Sequence, residues 1–399
     1  MLLNEKFKKT ISAAAEKYGT PLYAYLSDVI EEKIREVYMV FKGLDFSPTF
    51  AVKANYNPHL LKIIRENGFG MDVITPGELA SALMAGTPPE KIVWNGCGKS
   101  AGDMKLFLKN RVGKVNIDSI EELETWKSTL AGSKHVPEFY VRLNSEVDAM
   151  THPFISTGLK KHKFGVPLKL LDDFFTAAAK NKIKISGFHI HIGSQITEVS
   201  PYYEALSQIC SIASKRKIKN INIGGGWGID YTGEKLDLAE YRRAVTPLLK
   251  KFNITCELGR FIVAQSGFYV TRAVSVKNNG YKNFVITDGG MNHLIRPALY
   301  GAIHEFEIVG KINDRCEVNY DIVGPLCETG DVLYRSHEGC LPKPGALMVF
   351  KNAGAYGFSM SSNYNSTLKP AEVLINSDYE IKLVRKAETI DDFLAAVRI

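Results

Sequence analysis

Lys53 follows the apolar run Phe50-Ala51-Val52. A lysine at the end of a buried strand has its aliphatic stem in an apolar wall, and burial lowers the pKa of an ammonium group. Such an amine is nucleophilic and can form a Schiff base with an aldehyde. An ordinary lysine that reaches solvent from a strand end is the alternative for this residue taken alone.

Two histidines, His189 and His191, are separated by a single residue within the apolar segment Phe188–Ile192. Residues at i and i+2 of a strand point to the same face, so both side chains can face the interior of a barrel. They can bind a metal, stack on a flat ring or fill space. No third ligand lies nearby in the sequence, and we therefore expect no metal site.

A glycine run and an acid–arginine pair suggest an anion site. The glycines are Gly224, Gly225 and Gly226, and three consecutive glycines let backbone N–H groups approach an anion closely. Glu257 and Arg260, with Gly259 between them, follow the next apolar run. The acid can pair with a protonated ring nitrogen and the arginine with a phosphate or carboxylate, although a simple ion pair is the alternative.

These segments belong to a region in which short β-branched runs alternate with stretches of helical period. That alternation is typical of βα units and a parallel sheet, and eight repeats favour a closed (β/α)₈ barrel. Reactive groups of such barrels lie at the carboxyl ends of the strands. The predicted strands are Pro48–Lys53, Gly70–Ile74, Lys91–Asn95, Lys114–Asp118, Glu138–Asn144, Ile185–His191, Asn220–Gly225 and Asn253–Glu257.

The pattern changes after residue 265 to alternating apolar and polar residues, which predicts a mostly antiparallel β domain (a β-barrel or sandwich). We expect a barrel domain over residues 28–267 and a C-terminal β domain over 268–399. Residues 1–27, which begin with an amphipathic helix, are expected to pack on the β domain. The predicted strands there are Tyr269–Lys277, Phe284–Thr287, Glu305–Val309, Glu317–Val323, Leu347–Lys351 and Ile381–Arg385.

Composition excludes several classes of protein. The chain has 399 residues with a net charge of +7 spread along its length, so neither a nucleic acid nor a membrane is expected as a partner. No apolar run approaches the roughly 18–20 residues that span a bilayer, and no signal peptide is evident, which predicts a cytoplasmic protein. The six cysteines form no CxxC pair, so we expect neither a zinc ribbon nor a disulfide framework.

The strand ends together describe one ligand with an aldehyde, a flat ring, a protonatable ring nitrogen and a phosphate. Pyridoxal 5′-phosphate has all four features. In the β domain, Cys327 and Glu328 lie in the loop segment Gly324–Asp331, where a thiol beside a carboxylate suits proton transfer. Two further segments combine unusual residues: Arg296 with Tyr300, and Tyr356 in a turn of small residues.

In this order, the segments resemble those of the fold-type III pyridoxal-phosphate decarboxylases, a family with an alanine racemase-like barrel. The resemblance is greatest to the diaminopimelate decarboxylase branch, which forms L-lysine from meso-2,6-diaminopimelate in the last step of lysine biosynthesis. It extends over residues 20–374. The motifs that carry it are AVKAN, GFGMDVITPGEL, STGLKKHKFGV, HIHIGSQI, GGGWG, DGGMN, RPALY, GPLCETGD and NAGAYGFSMSSNYNS.

The resemblance implies a role for each matching residue. Lys53 would carry the cofactor as a Schiff base, and Cys327 would be the acid that protonates the carbanion. In this family Cys327 and Glu328 reach the site from the other subunit, which implies a homodimer with shared active sites. The remaining cofactor-binding residues would be His191, Ser194, Gly224, Gly225, Gly226, Glu257, Gly259, Arg260 and Tyr356, and the substrate-binding residues Arg260, Arg296, Tyr300, Glu328 and Tyr356.

Related activities remain as alternatives. Ornithine, arginine and carboxynorspermidine decarboxylases share the lysine, histidine, glycines and glutamate, and an amino-acid racemase or a non-catalytic pyridoxal-phosphate carrier would share part of them. The segment Thr157–Gly165 resembles the diaminopimelate type. Arg296 and Glu328 favour the same branch, because a substrate with charges of both signs at its far end needs both a cation and an acid.

Overall fold

The computed structural model describes residues 3–147, 163–313 and 316–397. The segment Thr157–Gly165 therefore lies largely outside the described residues. The chain forms two compact units, one of residues Glu31–Ile262 and one of residues Met1–Ile30 with Val263–Ile399. No helix within the described ranges is long and apolar enough to cross a membrane.

The strands and helices are numbered in chain order. The strands are β1 (Leu22–Leu26), β2 (Asp45–Phe46), β3 (Thr49–Ala51), β4 (Gly70–Val73), β5 (Ile92–Trp94), β6 (Lys114–Ile117), β7 (Glu138–Asn144), β8 (Val166–Pro167), β9 (Ile185–Ile190), β10 (Asn220–Asn222), β11 (Asn253–Thr255), β12 (Glu257–Leu258), β13 (Gly267–Asn278), β14 (Asn283–Thr287), β15 (Phe306–Val309), β16 (Val318–Val323), β17 (Val332–Gly339), β18 (Leu347–Phe350), β19 (Ala371–Ile375) and β20 (Ile381–Arg385). The helices are α1 (Glu5–Tyr18), α2 (Ser27–Val40), α3 (Pro58–Glu66), α4 (Pro76–Met84), α5 (Ala101–Lys109), α6 (Glu122–Leu130), α7 (Leu171–Lys180), α8 (Ser200–Lys215), α9 (Leu238–Leu249), α10 (Arg260–Val263), α11 (Arg296–Tyr300) and α12 (Ile390–Leu394).

The unit of residues 31–262 is a closed barrel of parallel strands. Its first strand consists of β2 and β3 and its last of β11 and β12. β11 pairs with β2 and β12 with β3, so the last strand lies beside the first. Backbone N–H groups of Ser47 and Thr49 donate to the carbonyls of Ile254 and Cys256, each at 2.8 Å. The predicted (β/α)₈ barrel is confirmed, with β8 as a short extra strand beside β7.

Local sequence signals explain where the barrel helices begin. α3 and α4 each have a proline at the first helical position, where the missing N–H costs nothing. The side chain of Asn57 caps α3 by accepting from the backbone N–H of His59, and Thr75 caps α4 by accepting from Glu78. Thr75 lies two residues after the end of β4 and Asn57 six residues after the end of β3, so both caps belong to short connections that follow barrel strands.

The other unit contains a mixed sheet in the order β17-β16-β14-β13-β1-β19-β20, with β18 beside β13 and β15 beside β18. All of its pairings are antiparallel except β1 with β19 and β14 with β16, so the predicted mostly antiparallel character is confirmed. The sequence patterns did not predict β1, β17 or β19, because none alternates clearly between apolar and polar residues. The apolar face of α1, including Phe7 and Ile11, packs against Leu22 and Val270 of this sheet.

The prediction of a chain without disulfides is wrong for one pair, because Cys316 and Cys340 are bonded to each other. The cause is a long-range pairing that cysteine spacing did not reveal. β16 and β17 are antiparallel, with Val318 opposite Gly339, and this register brings the residues just before β16 and just after β17 together. Cys97 and Cys327 are exposed free thiols, and Cys210 and Cys256 are buried free thiols.

Candidate active site

Glu257 is the centre of a buried polar cluster at the carboxyl-terminal end of the barrel strands. Its Oε1 accepts hydrogen bonds from the side-chain amides of Asn95 at 2.7 Å, Asn116 at 3.2 Å and Asn222 at 2.6 Å. Its Oε2 lies 3.1 Å from Nε2 of His189. Burial alone raises the pKa of Glu257, but the charge and the hydrogen bond of His189, together with the hydrogen bond from Asn95, outweigh burial and lower that pKa to about 2. Glu257 is therefore a buried carboxylate that stays ionised at neutral pH.

Asp72 is a second buried acid in the same cluster, and its pKa is shifted in the opposite direction to that of Glu257. Its Oδ1 accepts from Asn95 Nδ2 at 2.6 Å, so one amide group joins the two acids. Burial and the negative charge of Glu257 raise the pKa of Asp72 well above its usual value, while Lys53 opposes the shift. Of the two acids, Glu257 is therefore the one that carries a negative charge more readily.

Lys53 lies in a 3₁₀ turn, Val52–Ala54, directly after β3. Its side chain is exposed, so the predicted burial in an apolar wall is wrong. The strand ends at Ala51, and the turn buries Val52 and Ala54 while directing the lysine away from the wall. The charge of Lys53 contributes to the pKa values of Asp72 and of His191, which places the amine in the electrostatic field of this cluster.

His191 follows β9 and is held in one orientation. Its Nδ1 accepts from the backbone N–H of Gly225 at 3.3 Å, which leaves the ring proton on Nε2. Desolvation, followed by the positive charges of Lys53 and Arg142, holds the pKa of His191 well below its usual value. A neutral, fixed imidazole of this kind is suited to stacking on a flat ring. The other predicted histidine, His189, points at Glu257 instead.

The glycine turn after β10 allows backbone segments to approach one another very closely. A Cβ on Gly225 would lie 2.2 Å from the carbonyl oxygen of Glu257, and one on Gly226 would lie 2.4 Å from that of Gly193. Gly224 has φ +66°, in the left-handed region that favours glycine. Only glycine therefore fits at these positions of the turn.

Arg260 is buried at the start of α10 beside two hydroxyl groups. Its Nη2 donates to Ser194 Oγ at 2.9 Å and its Nη1 to the hydroxyl of Tyr231 at 3.1 Å. A guanidinium, hydroxyls and a glycine turn are the donor types that hold a phosphate. Together with an ionised acid for a ring nitrogen and a nearby lysine amine, these residues fit pyridoxal 5′-phosphate.

The predicted residues of the other unit lie on α11 and on two loops. Arg296 is buried on α11, and Tyr300 ends that helix half-buried. Cys327 and Glu328 are exposed in a loop whose base is held by Asp331. The carboxylate of Asp331 accepts from the backbone N–H of Leu326 at 2.8 Å.

Tyr356 adopts φ +57°, in the left-handed region of backbone conformation, within a turn of small residues.

Sequence reasoning missed most of the residues around Glu257. Asp72, Asn95, Asn116 and Asn222 were not singled out, although each is a polar residue within or just after a buried strand. In a barrel, a polar side chain at the carboxyl end of a buried strand is itself a signal, because burial there is costly without a partner. Tyr231, beside Arg260, follows no strand and had no such signal.

Comparison with known proteins gives a consistent result. Residues 27–264 match the family model described as the pyridoxal-binding domain of pyridoxal-dependent decarboxylases. The chain is 38% identical to diaminopimelate decarboxylase of Aquifex aeolicus over 394 residues, covering 96% of this chain and 92% of the relative. It is also 38% identical to the enzyme of that name from Pseudomonas aeruginosa, covering 96% and 94%.

Solved structures agree with these relatives. Diaminopimelate decarboxylase from Helicobacter pylori, in complex with L-lysine, superimposes with a TM-score of 0.90 at 34% identity, covering 96% of this chain and 98% of that one. Lysine/ornithine decarboxylase from Vibrio vulnificus, in complex with putrescine, has a TM-score of 0.81 at 21% identity, covering 95% and 100%. At 21% identity, the similarity to the Vibrio vulnificus enzyme shows only a common fold.

Proposed function

Because the chain belongs to the family of pyridoxal-dependent decarboxylases, we propose that it decarboxylates meso-2,6-diaminopimelate to L-lysine and CO₂. The observation that carries the proposal is the buried Glu257, kept ionised at the same barrel end as Lys53, a glycine turn and Arg260. That set of groups suits a cofactor with a basic ring nitrogen, an aldehyde and a phosphate.

Pyridoxal 5′-phosphate, when bound, supplies a ring that accepts the electron pair left on Cα as CO₂ departs. Lys53 would hold the cofactor through its amine, and Glu257 would keep a proton on the ring nitrogen. His191, neutral and fixed by Gly225, would stack on the ring. The phosphate would lie against Ser194, Gly224, Gly225, Gly226, Gly259 and Arg260, with Tyr356 near the cofactor and the substrate.

The substrate groups are assigned by charge. The far end of diaminopimelate carries a carboxylate and an ammonium, which call for a cation and an acid. Arg296 and Tyr300 would bind the carboxylate, and Glu328 the ammonium. Arg260 was assigned to both phosphate and substrate, and its bonds to Ser194 and Tyr231 favour the phosphate. Cys327, an exposed thiol, would protonate Cα after CO₂ is lost.

We further propose that the chain has two domains and that its active site is shared between two subunits. Residues 28–267 would form the cofactor-binding barrel. Residues 268–399 would form the β domain, with residues 1–27 packed on it. In a homodimer, Cys327 and Glu328 of one subunit would complete the site of the other. A cytoplasmic location belongs to the same proposal, and the four free thiols, among them the exposed Cys327, support it against the single Cys316–Cys340 bond.

The activity is tested with purified protein and pyridoxal phosphate. We expect lysine and CO₂ from meso-diaminopimelate, with little release of CO₂ from ornithine, arginine or lysine supplied as competing substrates. Release from one of those substrates in preference would retain the cofactor and overturn the assigned specificity. Exchange of the Cα hydrogen with solvent deuterium without CO₂ release would indicate a racemase instead.

The shared site is tested by mixing two inactive variants, Lys53→Ala and Cys327→Ala. Half of the randomly mixed dimers contain one subunit of each kind, and one of their two sites is intact, so about a quarter of the activity should return. Each variant re-equilibrated with itself is the control. No recovery, in mixtures shown to exchange subunits, would mean that each site is built from one chain.

A further inference from the structure

Three asparagine side chains from separate parts of the barrel converge on one oxygen of Glu257. Asn95 follows β5, Asn116 lies in β6, and Asn222 ends β10. All three are buried, and their amide nitrogens lie 2.6–3.2 Å from Oε1 of Glu257. Three neutral donors on one oxygen stabilise a carboxylate without cancelling its charge.

Each asparagine is also fixed by a second contact, so its amide cannot rotate freely. Asn116 Nδ2 donates to Asn95 Oδ1 at 2.7 Å, and Asn222 Oδ1 accepts from the backbone N–H of Gly224 at 3.0 Å. Asn222 therefore joins the carboxylate of Glu257 directly to the glycine turn. A displacement of the glycine turn would therefore also displace the carboxylate of Glu257, and the reverse.

A buried ion pair anchors the strand ends that carry two of these asparagines. Lys99 Nζ donates to the carbonyls of Gly96 at 2.5 Å and of Asn116 at 2.8 Å, and it lies 3.1 Å from Glu122. The side chain of Lys99 is 1% exposed. Glu122 in turn accepts from the backbone N–H of Asp118 at 2.9 Å. These contacts fix the turn after β5 against the end of β6.

We propose that Asn95, Asn116 and Asn222 are positioning residues, which hold Glu257 as an oriented carboxylate for the cofactor's ring nitrogen. Asn222 also sets the distance between this carboxylate and the glycine turn. The inference rests on the proposed function, since it assumes that pyridoxal phosphate binds here. If the cluster only filled the barrel, removing one asparagine would change stability and leave the cofactor's ring nitrogen unaffected.

The chain supplies a matched control on the same strand. Asn222→Leu removes the donor to Glu257 and the acceptor for Gly224. Asn220→Leu, two residues earlier, removes bonds to Ser186 and Asn253 that have no connection with Glu257. Both variants are loaded with pyridoxal phosphate labelled with ¹⁵N in the ring. The affinity is measured by titration, and the ring nitrogen is followed by its chemical shift across pH.

We expect Asn222→Leu to bind pyridoxal phosphate about tenfold to a hundredfold more weakly than the wild type, the range for one hydrogen bond to a charged group. A less firmly held carboxylate stabilises the protonated ring nitrogen less. The pKa of the ring nitrogen should therefore fall by about one unit. Asn220→Leu should match the wild type in both measurements.

Equal affinities and equal ring-nitrogen titrations in the two variants would overturn the inference. Failure of the wild type to bind the cofactor would instead overturn the proposed function. If Asn222→Leu does not fold, Asn116→Leu serves in its place. Among the described contacts Asn116 Oδ1 has no hydrogen-bond partner, so this variant removes only donors. It should shift the titration in the same direction by a smaller amount, and an unchanged titration would refute the proposal.

Discussion

Replacing Glu257 by glutamine should remove a defined part of the acid sensitivity of the barrel. The pKa of Glu257 falls from 4.5 to about 2 on folding. The unfolded chain therefore takes up the proton first as the pH decreases, and the folded state loses stability. A difference of this size corresponds to about 3 kcal/mol at neutral pH, at 1.36 kcal/mol per unit. Nearly all of it remains at about pH 5, and about half is lost by pH 3.

The assay exploits the position of the tryptophans. All three, Trp94, Trp126 and Trp227, are buried in the unit of residues 31–262, so tryptophan fluorescence during urea unfolding reports on the barrel. Glu257→Gln keeps the shape and one acceptor oxygen for the asparagine amides. Both proteins are compared in an Asp72→Asn background, because the charge of Glu257 itself raises the pKa of Asp72.

Between pH 7 and pH 3.5 the protein with Glu257 should lose about 1 kcal/mol more unfolding free energy than the glutamine variant. Most of this loss should occur below about pH 5. A free-energy difference that does not change with pH would show that Glu257 titrates alike in the folded and unfolded chain. The ionised, hydrogen-bonded carboxylate on which the proposed function depends would then be refuted.

Three other outcomes are expected. Lys53→Ala should abolish activity together with the visible absorbance of bound cofactor, whereas Cys327→Ala should keep that absorbance and lose turnover; full activity in the latter would exclude the thiol as the acid. Burial and the charge of Glu257 raise the folded pKa of Asp72, so the folded state holds this proton more tightly than the unfolded chain; the contribution of Asp72 to the unfolding free energy then falls as the pH rises above about 3.8, and Asp72→Asn should remove this fall in urea unfolding measured over a series of pH values. Gly225→Ala places a Cβ 2.2 Å from a backbone oxygen and should lower the unfolding free energy of the barrel by about 1–3 kcal/mol, whereas Gly98→Ala, with open space around it, should not.

The sequence predicted the barrel well because its strands are buried on both faces and appear as short apolar runs. It placed Lys53 correctly at a strand end but mistook its surroundings, because the change from strand to turn at Val52 depends on backbone packing. Cys327 was recognised as a loop thiol from the glycine and proline residues around it, and it is exposed. The Cys316–Cys340 bond depends on strand register, which alternation within one strand does not reveal.

The cluster around Glu257 could not be predicted from the sequence either, because its residues come together only in the folded barrel. The types of residue in the cluster have a chemical explanation. An arginine or lysine could have stabilised the buried carboxylate more simply, but an ion pair would cancel the charge that a protonated ring nitrogen needs. Amide donors satisfy the oxygen and leave its charge in place. Asp72 is joined to Glu257 through Asn95, and burial and the charge of Glu257 raise its pKa, which disfavours a second negative charge beside Glu257. Three neutral amides thus hold Oε1 of Glu257 while His189 lies beside Oε2, and these asparagines, which range from residue 95 to residue 222, become recognisable only when a barrel brings them together.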